Sequence, residues 1–251
     1  MRSAVERVAS LRVRKFGRIT QLTLRASLVR SNCYLVEEDD GLTLVDTTLK
    51  FGARKIARAV AATGRPLARI ALTHVHADHV GGLDQLKRRF PDAEVAAPGR
   101  SQPLLQGHLA ALPGEDPAPV RGSFAHVVTD PDRWLSPGDK VGSLEVVAAP
   151  GHTPDSVAYL ATGSGALIAG DAFQTGGGLA VAGDARWAFP WVARATWSRR
   201  AAVGSARRLA ELSPELLLCG HGAALADPAG PMRRAVARAA AKFGQEGADG
   251  G

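Results

Sequence analysis

Residues 19–24, 29–37 and 42–46 read as strands, and the polar turn at 38–41 joins the last two into a hairpin. Apolar positions then recur at helical spacing over about 51–62, until Gly64 and Pro66 stop the helix. A short apolar run at 68–73 predicts a buried strand, followed by a helix at 80–90 and a strand at 94–98. Pro/Gly-rich stretches at 113–122 and 130–138 read as surface loops. Beyond them, 139–151, 155–162 and 165–171 are strand-like. A long loop follows, then a helix near 194–212, a strand at 215–220 and a terminal helix near 229–243. Each half of the chain thus runs from several strands into helix, strand and helix. That order predicts an α/β fold of two strand-rich layers, with helices covering the outer faces. We read 1–251 as a single domain, with the Gly-rich tail from about 244 to 251 fraying.

Composition changes this picture little. At 45% hydrophobic and 22% charged residues, the chain is ordinary for a folded protein. No apolar run reaches the roughly 18 residues that a membrane span needs. Charges interrupt the first twenty residues too often for a secretory signal, and a transit peptide is disfavoured because strand pattern follows at once. The net charge of +7 invites a nucleic-acid reading. However, the basic residues alternate with apolar ones at helical spacing and do not interleave with aromatics, so they read as solvated helix faces. Neither nucleic acid nor a membrane is an expected partner; a small molecule is, and a homodimer stays open. Cys33 and Cys219 are too few for a disulfide framework and read as small buried hydrophobes in a reducing, cytoplasmic setting.

The chemistry concentrates in residues 71–82, ALTHVHADHVGG. His74 and His76, two apart at a strand end, point to one side, and the turn after them aims Asp78 and His79 elsewhere. With 7 histidines and 24 acidic residues in 251 positions, this spacing would arise by accident in about one chain in two thousand. Three more candidate ligands follow strands in the same way: His152 after APG, Asp171 in LIAGD and His221 in LLLCGH. Glycines beside them allow sharp turns. Five imidazoles and two carboxylates are too many for one tetrahedral zinc and suit two bridged ions.

The ordered motifs THVHADH, GHT, GD and GHG, with NCYLVE (32–37) and LVDT (44–47) before them, resemble the metallo-β-lactamase superfamily. The resemblance implies the four-layer αβ/βα sandwich of the metallo-β-lactamase fold. It also implies that His74, His76 and His152 hold one metal, that Asp78, His79 and His221 hold a second, and that Asp171 bridges them. Asp46 would support the metal loop from behind, with Thr73 and Thr153 as further props. Two Zn2+ ions are expected, with iron or manganese compatible with the same ligands.

The expected reaction is hydrolysis of a carboxylic ester, lactone or thioester by a hydroxide shared between the ions, with Asp78 and Asp171 the catalytic carboxylates. The β-lactamases of the superfamily commonly carry a cysteine ligand or lack the bridging aspartate, so lactam hydrolysis is expected only as a weak or promiscuous activity. Glyoxalase II enzymes have a longer carboxy-terminal helical region, whereas thirty residues follow His221 here. Quorum-quenching lactonases often have a tyrosine where this chain has Gln174. A single-iron persulfide dioxygenase, which THVHADH also resembles, is the alternative; the complete second ligand set argues against it. The segment 172–197 supplies an expected pocket wall, with Gln174, Trp187, Phe189 and Trp191 as lining. It reads equally as a mobile apolar lid or as aromatics packing a helix onto the sheet. His108 and His126 read as surface or pocket-rim residues, and Arg186 and Arg194 as solvated charges.

Overall fold

The computed structural model of the chain describes residues 10–26 and 29–248. The amino-terminal segment up to residue 9 lies outside the described residues, as do residues 27–28 and 249–251. The chain gathers into two compact units, Met1–Gln106 with Ser123–Ser143, and Gly107–Gly122 with Leu144–Gly251.

The first unit is built on a seven-stranded sheet in sequence order. Its strands are β1 (Ser10–Phe16), β2 (Ile19–Ala26), β3 (Val29–Glu38), β4 (Gly41–Val45), β5 (Leu67–Ala71), β6 (Glu94–Pro98) and β7 (Arg133–Leu135). The first four pair antiparallel, and β4 to β7 pair parallel. Parallel neighbours need a crossover. Helix α1 (Ala53–Ala62) provides the one from β4 to β5, and α2 (Ala77–Val80) with α3 (Leu83–Arg89) provides the next; a short α4 (Ser101–Leu105) follows β6. Helix α1 buries Ala53, Ile56 and Val60, spaced three and four apart. These meet Cys33, Leu35 and Leu44 from the sheet and Leu83 and Leu86 from α3 in one apolar cluster. The expected hairpin, the helix near 51–62 and the strand at 94–98 are all present. Strand β1 escaped the reading because its side chains are mostly exposed and four of seven are polar or charged, the composition of a protected sheet edge rather than a core strand.

In the second unit, β9 (Leu144–Ala148), β10 (Val157–Ala161), β11 (Ala166–Ile168), β14 (Leu216–Leu218) and β15 (Leu225–Ala226) are neighbours in the order β15-β14-β11-β10-β9. The dipeptide strand β8 (Lys140–Val141) precedes them in the chain. Strands β11 and β14 are parallel, and between them in sequence lie α5 (Trp191–Ala195) and α6 (Arg199–Glu211). Leu167 and Leu217 pack with Leu209, Met232 and Ala239, the last two from α7 (Ala229–Ala248). The segment expected as one long loop contains a small hairpin, β12 (Phe173–Gln174) and β13 (Ala180–Val181), and then α5. Helix α6 starts at Arg199 rather than near 194, because Ser198 caps it by accepting from the Ala201 amide. Helix α7 continues to Ala248, past the expected end near 243, so part of the tail expected to fray is helical. Among the described residues, no helix is long and apolar enough to cross a membrane.

Gly151 illustrates how closely the backbone approaches itself next to the expected ligands. Its φ is +148°, and a Cβ there would collide with the Ala202 backbone. The Gly151 carbonyl accepts the Ser198 amide at 2.9 Å at the head of α6. Gly151→Ala is expected to lower unfolding stability by about 2–3 kcal/mol, measured by denaturant melts; an unchanged midpoint would contradict this packing.

Candidate metal centre

In the first unit the chain leaves β4 in a strained turn: Asp46 and Thr48 have φ of 62° and 54°, a region that side chains other than glycine seldom occupy. The turn places the buried Asp46 carboxylate behind the histidine loop. One oxygen accepts the Thr73 amide at 2.8 Å; the other accepts the Thr73 hydroxyl at 2.8 Å and lies 2.8 Å from His79 Nδ1. The Thr73 hydroxyl has given its proton to Asp46, so its contact with His74 Nδ1 at 3.0 Å makes the imidazole the donor. Hydrogen-bond partners thus place a proton on Nδ1 of both rings, so that a neutral ring would offer its Nε2 lone pair to a cation. The centroids of the His74 ring and those of His79 and His76 are 4.1 and 5.0 Å apart.

His76 precedes α2 in extended conformation, and its carbonyl accepts the His79 and Val80 amides at 2.9 and 3.0 Å, so the motif folds its own helical turn. Asp78 is half-buried on that turn. The turn is clamped twice. Thr47 donates from its amide and hydroxyl to the His79 carbonyl at 2.6 and 2.8 Å. Across the turn, Phe124 packs edge-on against His76 at 5.1 Å. Asp84 holds that strip by accepting from Val128 and Thr129, and although burial pushes its carboxyl up, these hydrogen bonds keep it below the usual carboxylate range. Gly82 lies so close that a Cβ would stand 2.5 Å from the Thr47 carbonyl oxygen.

In the second unit three donors from separate strand ends come together. One oxygen of Asp171 stands 3.4 Å from His152 Nε2 and 3.2 Å from His221 Nε2. All three residues are buried. His152 Nδ1 lies 3.2 Å from the Thr196 hydroxyl, whose proton goes to the Val192 carbonyl at 2.7 Å. The His152 ring is therefore the donor at Nδ1, with its Nε2 turned toward Asp171. Two donor atoms each about 2.1 Å from a shared cation would be separated by about 3.0–3.4 Å at right-angle to tetrahedral geometry. The observed spacings fit such an edge, and the donor set fits a divalent metal.

The remaining expected residues are distributed as follows. The Thr153 hydroxyl sits 2.6 Å from that of Ser156 and shapes the turn; the oxygen behind His152 is that of Thr196, which the sequence reading did not single out. Gln174 is buried and donates to the Phe189 carbonyl at 3.3 Å. Phe189 is buried with its ring 5.1 Å from that of His221, whereas Trp191 is partly exposed beneath Arg194 and Trp187 is 98% exposed. Of the aromatics, then, Phe189 packs as a core residue and Trp187 stands in solvent. Burial pushes both cysteine thiols up, with Asp171 adding to the effect at Cys219, so neither is a ready thiolate. His108 and His126 are exposed.

A family model described as the metallo-beta-lactamase superfamily matches residues 26–221. The chain is 44% identical over 230 residues to the uncharacterized protein YobT of Bacillus subtilis, covering 91% of this chain and 99% of that one. It is 31% identical to a hydroxyacylglutathione hydrolase of Aeromonas hydrophila, over 55% of this chain and 44% of that enzyme. Among solved structures, the DIM-1 metallo-beta-lactamase superposes with TM-score 0.70 at 19% identity, over 93% of this chain and 99% of that one, which shows the fold. TTHA1623, solved in a di-iron-bound form, superposes with TM-score 0.62 at 28% identity, over 82% and 94%.

Thr196→Val removes the acceptor behind His152 at nearly constant volume. It is expected to weaken metal binding roughly 10–100-fold, measured by competition with a chromophoric chelator, while Thr196→Ser restores it. Equal affinity in the valine variant would show that Thr196 does not orient the ring.

Proposed function

The chain belongs to the metallo-β-lactamase superfamily of metallo-hydrolases, and from that premise we propose that it is a dinuclear metal-dependent hydrolase of carboxylic esters, lactones or thioesters. The observation that carries this reading is the single Asp171 oxygen that stands within 3.4 Å of two imidazole nitrogens in a buried setting. We assign His74, His76 and His152 to one ion, Asp78, His79 and His221 to the other, and Asp171 to both. Zinc suits these ligands best, and the di-iron form of one relative keeps iron in view. When bound, two such ions supply a hydroxide nucleophile near neutral pH and polarise the scissile carbonyl.

The chain's own residues hold the geometry and move the proton. Asp46 anchors His79 directly and His74 through Thr73, and Thr196 anchors His152. Asp78, half-buried, takes the nucleophile's proton on its carboxylate and returns it to the leaving oxygen or sulfur. No protein nucleophile is required. Similarity to a hydroxyacylglutathione hydrolase favours a thioester among the three bonds. Both cysteines are buried and neither is in a disulfide, which suits a reducing compartment, and we assign the protein to the cytoplasm.

Purified protein is expected to contain two metal ions per chain by elemental analysis and to turn over at least one member of a panel of thioesters, lactones and esters. Asp171→Asn is expected to lose metal and to lower kcat/KM by more than about a hundredfold. One iron per chain without hydrolysis, or full activity after exhaustive chelation, would overturn the proposal. A separate expectation concerns the pocket wall: Trp187→Ala raises KM for substrates with apolar acyl groups about fivefold or more while leaving the melting temperature unchanged. An unaltered KM would remove Trp187 from substrate contact.

A further inference from the structure

Within the second unit, a cavity of about 810 Å3 opens between the 107–122 segment, α6 and α7. Four guanidinium groups line it: Arg121 from the segment, and Arg199, Arg200 and Arg207 from α6. Arg200 and Arg207, seven residues apart, stand on one face of the helix. Asp116 is the one carboxylate in the wall, and it is engaged by the Ser198 hydroxyl and the Ala118 amide. Arg199 lies over the Phe243 ring at 5.3 Å, so an aromatic face borders the basic groups.

Two features of this wall run against helix stability. The first turn of α6 carries Arg199 and Arg200 and no acidic residue, although the helix dipole favours negative charge there. Gly204 occupies the middle of the same helix, where alanine is preferred, yet an added Cβ would meet nothing nearer than Arg208 Nη1 at 3.7 Å. Packing therefore does not demand the glycine. Both features face the cavity, where a bound anion would add negative charge beside the two guanidinium groups and the missing side chain leaves room.

We propose that this cavity is a second ligand site, independent of the hydrolytic reading, that takes a phosphate-bearing small molecule. Guanidinium forks match phosphate oxygens two at a time, and four of them around one carboxylate leave a surplus of positive charge for a dianion. Val203 and Phe243 offer the organic part of a phosphate monoester an apolar side, and the volume lies within the range of small-molecule sites.

The test is calorimetric titration of the metal-loaded full chain with adenosine monophosphate and, separately, inorganic phosphate at about 0.15 M salt. Saturable binding in either arm is expected; tighter binding of the ester identifies phosphate monoesters as the ligands, and equal binding identifies the free anion. Arg200→Ala with Arg207→Ala is expected to weaken binding at least about tenfold, since two bidentate partners are lost. Arg54→Ala with Arg58→Ala removes the same charge from α1, in the other unit, and is expected to change binding less than about twofold. Failure of both probes to bind, equal loss in the two double variants, or undiminished binding without Arg200 and Arg207 would each overturn the proposal.

Discussion

A neutral imidazole carries one ring proton, and whichever group accepts it at Nδ1 leaves Nε2 with the lone pair that a cation can use. In this protein the accepting oxygens are built into the scaffold. Asp46 serves His79, and through the Thr73 hydroxyl it also serves His74; Thr196 serves His152 after giving its own proton to Val192. The rings therefore stand in a defined orientation, with a proton on Nδ1, on the polypeptide alone. Such preorganisation favours metal binding, because a ring free to rotate would lose affinity with each conformer it sampled.

The arrangement requires backbone in unusual places. Asp46 and Thr48 adopt left-handed φ values, and Gly82 and Gly151 sit where a methyl group would meet main chain. Each is a local expense that the surrounding hydrogen bonds over-determine: Thr47 to the His79 carbonyl on one side, Ser198 to the Gly151 carbonyl on the other. Strain gathered beside chemically committed residues is common at working sites. The polar groups it positions are buried, where imidazole nitrogens and a carboxylate oxygen stand within 3.4 Å of one another. These same atoms are the ones that would hold a divalent ion.

The surface follows a different rule. The excess of basic residues reads from the sequence as solvated helix faces, and for α1 the alternation supports that, since its apolar positions face the core and its charges face water. For α6 the same alternation conceals a second pattern, in which Arg200 and Arg207 meet Arg121 from a distant segment around one cavity. Periodicity describes a helix against its own core; it does not register what another element brings to the outer face.

The short-range parts of this protein are legible along the chain. The THVHADH turn is legible because neighbouring residues supply both its candidate metal donors and its helical turn, with His76 starting α2 through its own carbonyl. His152, Asp171 and His221 are legible because each ends an apolar run and stands beside a glycine. Asp46 entered through its place in a family motif. Long-range packing decided which oxygen stands behind His152, since Thr196 is 44 residues away and Thr153, next door, turns to Ser156 instead. It also decided that Phe124 buttresses His76, that β1 forms a sheet edge, and that Phe189 is core while Trp187 is solvent-exposed. The physical reason is common to all of these: spacing along the chain encodes which way a side chain leaves its own strand or helix, whereas the group it meets there is set by long-range packing that no local pattern carries.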